Sequence, residues 1–441
     1  MAVTKLKVEN FGPIKSVDVS LGDLNILIGP QASGKSLFLE LFKLVMDKNS
    51  IIETLRKYNY ILSKTDVEPL LDYYFGEGLH TLFSGDTKIE VSDKKFAITD
   101  LLKPSKNRQN TKESVFYVPA QRILGISDGR PKNFMEFDGS APYVLKNFSE
   151  TLRVFIQSGL GNPDVIFPMR NRLKGVVKNS IDESVFHGAK VVIDQSSGQR
   201  KMKLNINNVS LPFMTWSAGQ KEFMPLLLAM YCLSGPPTSV INKEDYKWVI
   251  IEEPEMGLHP RAIQTVIWEI IELMQAGYKV IVSTHSPTLL EFAWVFESLK
   301  NLPAERFKKA LSELFDIDKK STAILVMNGL QEKELKTYFF SSDGGGVTST
   351  DISSLDVEND NPLIAEWGGL SAFSGKASEV VGKYYQEPEL REDEEKECKI
   401  RRDHLHYWIP SGKVCISKTS PQYRSLAKHN LQITSSPFVL K

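Results

Sequence analysis

The apolar pattern begins in strand-length pieces. Leu6–Val8, Val17–Val19 and Asn25–Ile28 are short apolar runs, broken by Gly12-Pro13 and Gly22-Asp23, with Asn10-Phe11-Gly12 as a turn. The period then changes. Leu37, Leu41, Leu44 and Val45 recur at helical spacing, which predicts a helix over Ser36–Asp47 and an order of strand, glycine-rich loop, helix. Residues 48–112 read as an insertion, with a helix-like run at Val67–Tyr74, strands at Thr87–Val91 and Lys95–Ile98, and a polar, basic loop. Val115–Val118 resumes an apolar strand, and a second insertion at about 125–210 precedes the apolar helix Phe223–Leu233. Lys247–Glu252 and Lys279–Ser283 are continuous apolar strands, alternating with helices at Arg261–Gln275 and Pro287–Phe296. Strands buried on both faces and separated by helices predict an α/β class with a mostly parallel core sheet. The N-terminal pieces predict an antiparallel β subdomain beside it. Neither insertion carries sustained heptads, so neither reads as a long coiled-coil arm.

Beyond residue 300 the pattern weakens. It predicts a helix at Glu305–Phe315, a strand pair at Ala323–Met327 and Glu334–Phe340, and a flexible turn at Ser341–Gly346. Glu387–Glu397 is an exposed helix or linker. The division expected is therefore a domain over 1–300 and an α+β C-terminal extension over 301–441.

Charge narrows the picture. Lys plus Arg and Asp plus Glu are equal at 54 each, so no global basic excess points to nucleic acid. Local candidates remain at Lys103–Lys112 and Arg401-Arg402, although short basic runs are commonly solvated surface. Cys232, Cys398 and Cys415 form no CxxC pair, and only His404 and His406 stand near one of them, so neither disulfides nor structural zinc are expected. The N-terminus lacks an apolar signal region. The longest apolar stretch, near Phe223–Leu233, falls short of the roughly 20 residues a membrane helix needs. A cytoplasmic location without membrane association is predicted.

Four segments carry chemistry. Gly29-Pro30-Gln31-Ala32-Ser33-Gly34-Lys35-Ser36 fits GxxxxGK[ST] between strand and helix. There backbone amides and the helix N-terminus can surround phosphates, Lys35 can reach the β and γ oxygens, and Ser36 can ligate Mg²⁺. Trp248–Glu252 ends in the paired carboxylates Glu252 and Glu253, suited to holding the metal and polarising a water. Ser217-Ala218-Gly219-Gln220 caps an apolar helix and offers a hydroxyl and amides to an anion; alone it would be an ordinary cap. His285 follows the strand Lys279–Ser283 and would face the same edge as Lys35 and Glu253.

In this order, phosphate loop, signature, double acid and histidine resemble the ABC ATPase superfamily. Leu6–Ile14, Tyr117-Val-Pro-Ala-Gln-Arg122 and Glu252-Glu-Pro-Glu-Met-Gly-Leu-His-Pro260 resemble its RecF-like and SMC-like branch, and more narrowly the single-cassette AAA-type ATPases of prokaryotic anti-phage systems. The resemblance implies ATP and Mg²⁺ as ligands, bound by Gly29–Ser36, with Glu252 as metal partner, Glu253 as hydrolytic base and His285 as γ-phosphate sensor. It implies Gln121 as the glutamine linking the lobes, and Ser217, Gly219 and Gln220 as a signature supplied by a second copy. Two positions depart from the family pattern: Glu252 stands where many relatives have Asp, and Ala218 replaces a signature glycine. One cassette per chain implies a homodimer through the nucleotide sites, open to higher assembly. The expected role is an ATP-driven switch over a separate effector protein. The alternatives are a DNA repair or recombination clamp and a nuclease with a C-terminal site. Relatives of the overcoming-lysogenisation-defect type carry a C-terminal Toprim nuclease that needs a DxD, and here the one DxD, Asp316-Ile-Asp318, follows a helical pattern.

Overall fold

The computed structural model describes residues 3–103, 112–160, 165–169, 171–196, 198–317, 321–342, 344–384, 404–409 and 412–417. The chain forms two compact units, Met1–Leu370 and Ser371–Lys441.

The first unit opens with β1 (Lys5–Phe11) and β2 (Ile14–Ser20), an antiparallel hairpin whose turn places Gly12 at φ 51°. β3 (Leu24–Ile28) is buried throughout and runs into the phosphate loop and α1 (Lys35–Lys57). α2 (Glu68–Phe75), β4 (Phe83–Val91), β5 (Lys94–Phe96) and β6 (Val115–Val118) follow. A small ladder, β7 (Ile126–Ser127) with β8 (Arg130–Pro131), precedes α3 (Tyr143–Val154), β9 (Val165–Phe167), α4 (Gly175–Ile181), β10 (Lys190–Asp194), β11 (Lys201–Ile206) and β12 (Val209–Pro212). Then come α5 (Ala218–Ser234), β13 (Trp248–Glu252), α6 (Pro260–Gln275), β14 (Lys279–Ser283), α7 (Pro287–Leu299) and α8 (Ala304–Leu314). β15 (Leu335–Ser342), β16 (Val347–Asp351) and the short α9 (Pro362–Ala365) close this unit. In the second unit, α10 (Ala372–Tyr384) precedes a hairpin of β17 (His404–Ile409) and β18 (Gly412–Ser417).

The first unit is mixed α/β around a ten-stranded sheet ordered β5-β4-β1-β2-β16-β15-β3-β14-β13-β6. From β15 to β6 the neighbours run parallel, while β5, β4, β1 and β2 form an antiparallel flank. Alternate residues of the parallel strands feed two separate cores, as the period of two requires. Leu24, Ile26, Ile28, Val249, Ile251, Val280 and Val282 pack with α5, α6 and α7. Leu27, Trp248, Ile250, Ile281, Tyr338 and Phe340 pack on the other face with α1 and α2. The second insertion forms its own antiparallel sheet, β12-β11-β10-β9.

Several expectations change. α1 continues past Asp47 to Lys57, with a kink at Asp47 (φ −113°, ψ 18°). There the Asp47 carboxylate accepts from the Ser114 amide (2.8 Å), the Ser114 hydroxyl (2.7 Å) and the Val115 amide (3.0 Å). The segment taken as a first insertion is partly integral, because β4 pairs with β1. Thr322–Met327 is a 3₁₀ turn where a strand was expected; Val326, Met327 and Leu330 reach the core at helical spacing. β15 and β16 lie beyond residue 300 yet occupy the middle of the sheet, and the compact unit runs to Leu370. Residues 104–111, Asp318, Glu387–Glu397, Cys398 and Arg401-Arg402 lie outside the described residues. Among the described residues, no helix is long and apolar enough to cross a membrane.

Candidate active site

Strand register brings the chemistry to one place. Glu252 pairs with Ser283, Ile251 with Val118, and Ser283 with Leu27, all in parallel ladders. The loops that follow β3, β13, β14 and β6 therefore leave the sheet at the same, C-terminal edge. These loops carry Gly29–Ser36, Glu253, Thr284-His285 and Pro119–Gln121 respectively.

The phosphate loop turns back sharply, with Ala32 at φ 60° and Gly34 at φ 74°. Gly29 is fixed by contact: a Cβ there would meet the Phe340 carbonyl oxygen at 2.3 Å, inside any tolerable separation. Lys35 is buried and folds onto its own loop, donating to the carbonyl oxygens of Gly29 and Pro30 (both 2.9 Å) and to the Ser33 hydroxyl (3.2 Å). Burial holds the Lys35 ammonium below its ordinary range, against the opposing pull of Glu253, Glu252 and Glu255. Pro30, Gln31, Ala32 and Ser36 are exposed, and Ser33 is buried.

The two acids differ in their surroundings. Glu252 is buried; its Oε2 accepts from the Ala120 amide (3.1 Å), and its Oε1 has no partner. Burial raises its carboxyl above the usual range, while the Ser36 hydroxyl and the Ala120 amide draw it back. Tyr117 Oη is buried beside this carboxyl and also draws it down. An orphaned carboxylate oxygen and an exposed hydroxyl at the start of α1 suit the hard oxygen donors of Mg²⁺. Glu253 takes a left-handed backbone (φ 41°), and its amide donates to the Ser283 carbonyl (2.8 Å). Its side chain is 31% exposed, and its Oε1 lies 3.7 Å from Nε2 of His285.

Sequence reasoning missed the groups that hold this edge in place. Arg122 is fully buried and donates to the carbonyls of Glu252 (3.1 Å), Glu253 (3.2 Å) and Glu222 (3.1 Å). It thus ties the start of α5 to the end of β13. Glu255 accepts from the Thr284 hydroxyl (2.8 Å) and the His285 amide (2.6 Å), which sets the course of the histidine loop. The visible signal was an arginine one residue beyond the predicted Gln121 and a third acid in Glu252-Glu-Pro-Glu255. Gln121 itself is exposed where the chain leaves β6.

Ser217 caps α5, its hydroxyl accepting from the Gln220 amide (3.3 Å) while Gln220 Oε1 accepts from the Ser217 amide (3.2 Å). Ser217 and Ala218 are exposed. Gly219 is required by packing, since a Cβ would lie 2.7 Å from the Gly257 carbonyl oxygen. The Gln220 side-chain amide donates to the Val185 carbonyl (3.2 Å), so that group is engaged within the fold.

Residues 1–117 match the family model of the AAA ATPase domain, and residues 195–291 match that described as "AAA domain, putative AbiEii toxin, Type IV TA system". Over 72 residues the chain is 33% identical to the Old nuclease of Escherichia phage P2, a stretch covering 16% of this chain and 12% of that relative's length. Among solved structures, the SMC head domain from Thermotoga maritima aligns at 11% identity and TM-score 0.35 over 80% of this chain and 99% of its own. A dimeric bacterial ABC transporter cassette aligns at 11% identity and TM-score 0.30 over 65% of this chain and 90% of its own.

Proposed function

We propose that this chain, whose residues 1–117 and 195–291 match AAA ATPase domain models, is an ATP-hydrolysing homodimeric switch of the ABC and SMC-like kind that governs a separate effector, in the setting of anti-phage defence. The observation that carries the reading is the convergence on one sheet edge of a folded phosphate loop, a buried carboxylate with a free oxygen, and the Glu253–His285 pair. In this proposal ATP lies along Gly29–Ser36, and Lys35 exchanges the Gly29 and Pro30 carbonyls for phosphate oxygens. Ser36 and Glu252 would hold Mg²⁺, which when bound neutralises charge on the β- and γ-phosphates. Glu253 polarises the attacking water, and His285 hydrogen-bonds the γ-phosphate. The exposed, capped start of α5 would meet the triphosphate of a second copy, so that ATP joins two chains and hydrolysis parts them.

The experiment is Glu253→Gln. We expect turnover to fall by roughly 10²–10⁴-fold, the usual worth of a general base, while ATP binding persists and dimers accumulate in sedimentation runs. Hydrolysis at the wild-type rate would remove Glu253 from the role of base. The short stretch of likeness to the phage Old nuclease is compatible with a second reading, a nuclease with a site in the C-terminal part. It requires metal-dependent nicking of plasmid by the purified chain that survives Lys35→Ala.

A further inference from the structure

The second insertion contains an arginine-lined cleft that the ATPase reading does not use. Its volume is about 570 Å³, in the range of pockets that enclose small organic ligands. Arg130 from β8, Arg153 from α3 and Arg200 at the start of β11 line it, with Glu136 as the carboxylate of the lining. Three separate parts of the fold thus bring guanidinium groups to one cavity.

Each arginine is held in place. Arg153 grips Glu150 through Nε (2.8 Å) and Nη2 (2.7 Å) and also donates to the Gln157 amide oxygen. Arg130 donates to Glu136 (3.0 Å). Arg200 donates to the carbonyls of Ile156 (3.4 Å) and Gln157 (3.1 Å). Held this way, Arg130 can exchange Glu136 for phosphate oxygens, with the positioned Arg153 and Arg200 adding positive charge beside it. The remaining lining is of a different kind. Pro131 and Ile156 offer apolar surface, and Gln199 offers an amide able to pair with the edge of a base. Gly198 takes a left-handed backbone (φ 74°), and a Cβ there would meet nothing within 4 Å, so the turn beside Arg200 is open to a ligand.

We propose that this cleft binds a small phosphorylated ligand of nucleotide size, at a site separate from Gly29–Ser36. Free phosphate would use the arginines but leave the apolar and amide walls unfilled. A nucleotide uses both.

The test uses the full chain carrying Lys35→Ala, which silences the phosphate loop, titrated calorimetrically with 5′-AMP, cyclic di-AMP, inorganic pyrophosphate and a short single-stranded DNA. AMP or the cyclic dinucleotide binds with micromolar Kd, more tightly than pyrophosphate. Arg130→Gln and Arg200→Gln, introduced separately and checked for an unchanged thermal midpoint, each weaken that binding tenfold or more. If one of them unfolds the chain, the other carries the test, and Gln199→Ala serves as a further variant, expected to weaken the nucleotides but not pyrophosphate. The proposal is overturned if neither nucleotide binds below millimolar, if pyrophosphate binds as tightly as they do, if DNA alone binds, or if the folded arginine variants leave Kd unchanged.

Discussion

Two places along α1 handle buried charge in opposite ways. Toward its middle, Lys43 is buried, yet its ammonium meets Asp47 (3.2 Å), Glu113 (3.5 Å) and the Val115 carbonyl (2.8 Å). Asp47 in turn accepts three further hydrogen bonds from Ser114 and Val115, and Glu113 accepts from Tyr143 (3.2 Å) and Asn147 (3.1 Å). Burial disfavours the charge on Lys43, but Glu113 and Asp47 more than offset that and raise it above its ordinary range. Beside Ser36, the buried Glu252 carboxylate has no ion-pair partner among the described residues, and its Oε1 meets no hydrogen-bond donor at ordinary geometry. A buried polar group without a partner costs free energy that folding alone does not recover. The matched cluster is architecture, fastening the kink of α1 to β6. The unmatched one lies where the proposed Mg²⁺ would be held.

Removing a charge should therefore have opposite effects on stability at the two places. Lys43→Met strands two buried carboxylates, and we expect a loss of about 3–5 kcal/mol, the usual cost of breaking a buried ion pair from one side. Glu252→Gln keeps the shape and removes an uncompensated charge. Its urea midpoint should match or exceed wild type, while Mg²⁺-dependent turnover is lost. Equal destabilisation by the two variants would erase the distinction.

Glu269 on α6 sharpens the comparison, because it is orphaned away from the strand edge. Both its oxygens are buried and unpartnered, and burial, with Glu272 adding to it and Lys174 opposing, pushes its carboxyl up to about 8. The folded chain holds this proton while the unfolded chain releases it near the ordinary carboxylate range. Its contribution to stability is thus present at low pH and is lost as pH rises from about 4.5 to about 8. Glu269→Gln should flatten that decline, by an amount on the order of a few kcal/mol between the ends of the window. Denaturant titrations at pH 5 and pH 8 read it directly. An unchanged slope with pH would mean that Glu269 is ionised and solvated in the folded chain.

The legible parts of the fold were those where one residue type answers to one local demand. Trp248–Glu252 and Lys279–Ser283 read as strands because, buried on both faces, they are continuously apolar. The phosphate loop was legible because left-handed turns and close approach at Gly29 and Gly34 leave few alternatives to glycine. Features set by distant partners were not legible. β15 read as a strand at Glu334–Phe340, but its place in the middle of the sheet, set by its ladders with β3 and β16, was not legible. Val347–Asp351 carries little apolar pattern at all. Arg122 resembled any charged residue in a loop until the carbonyls of Glu252, Glu253 and Glu222 surrounded it.

The smallest expected effect on stability tests the exposed end of the proposed interface. Ser217 has two roles in this account, helix cap within its own chain and phosphate contact for a second copy. Ser217→Ala removes both, and should cost about 1 kcal/mol of stability as lost capping along with ATP-dependent dimerisation, so alone it cannot separate them. Ser217→Asp can. Aspartate caps α5 about as well as serine, so the urea midpoint should stay within a few tenths of a kcal/mol of wild type. Its charge, however, would sit against the partner's γ-phosphate, where like charges repel. In the Glu253→Gln background with ATP present, sedimentation should then show monomer for Ser217→Asp and dimer for its parent. A Ser217→Asp chain that dimerises normally would leave Ser217 with its capping role alone and place the second copy, if there is one, on another face.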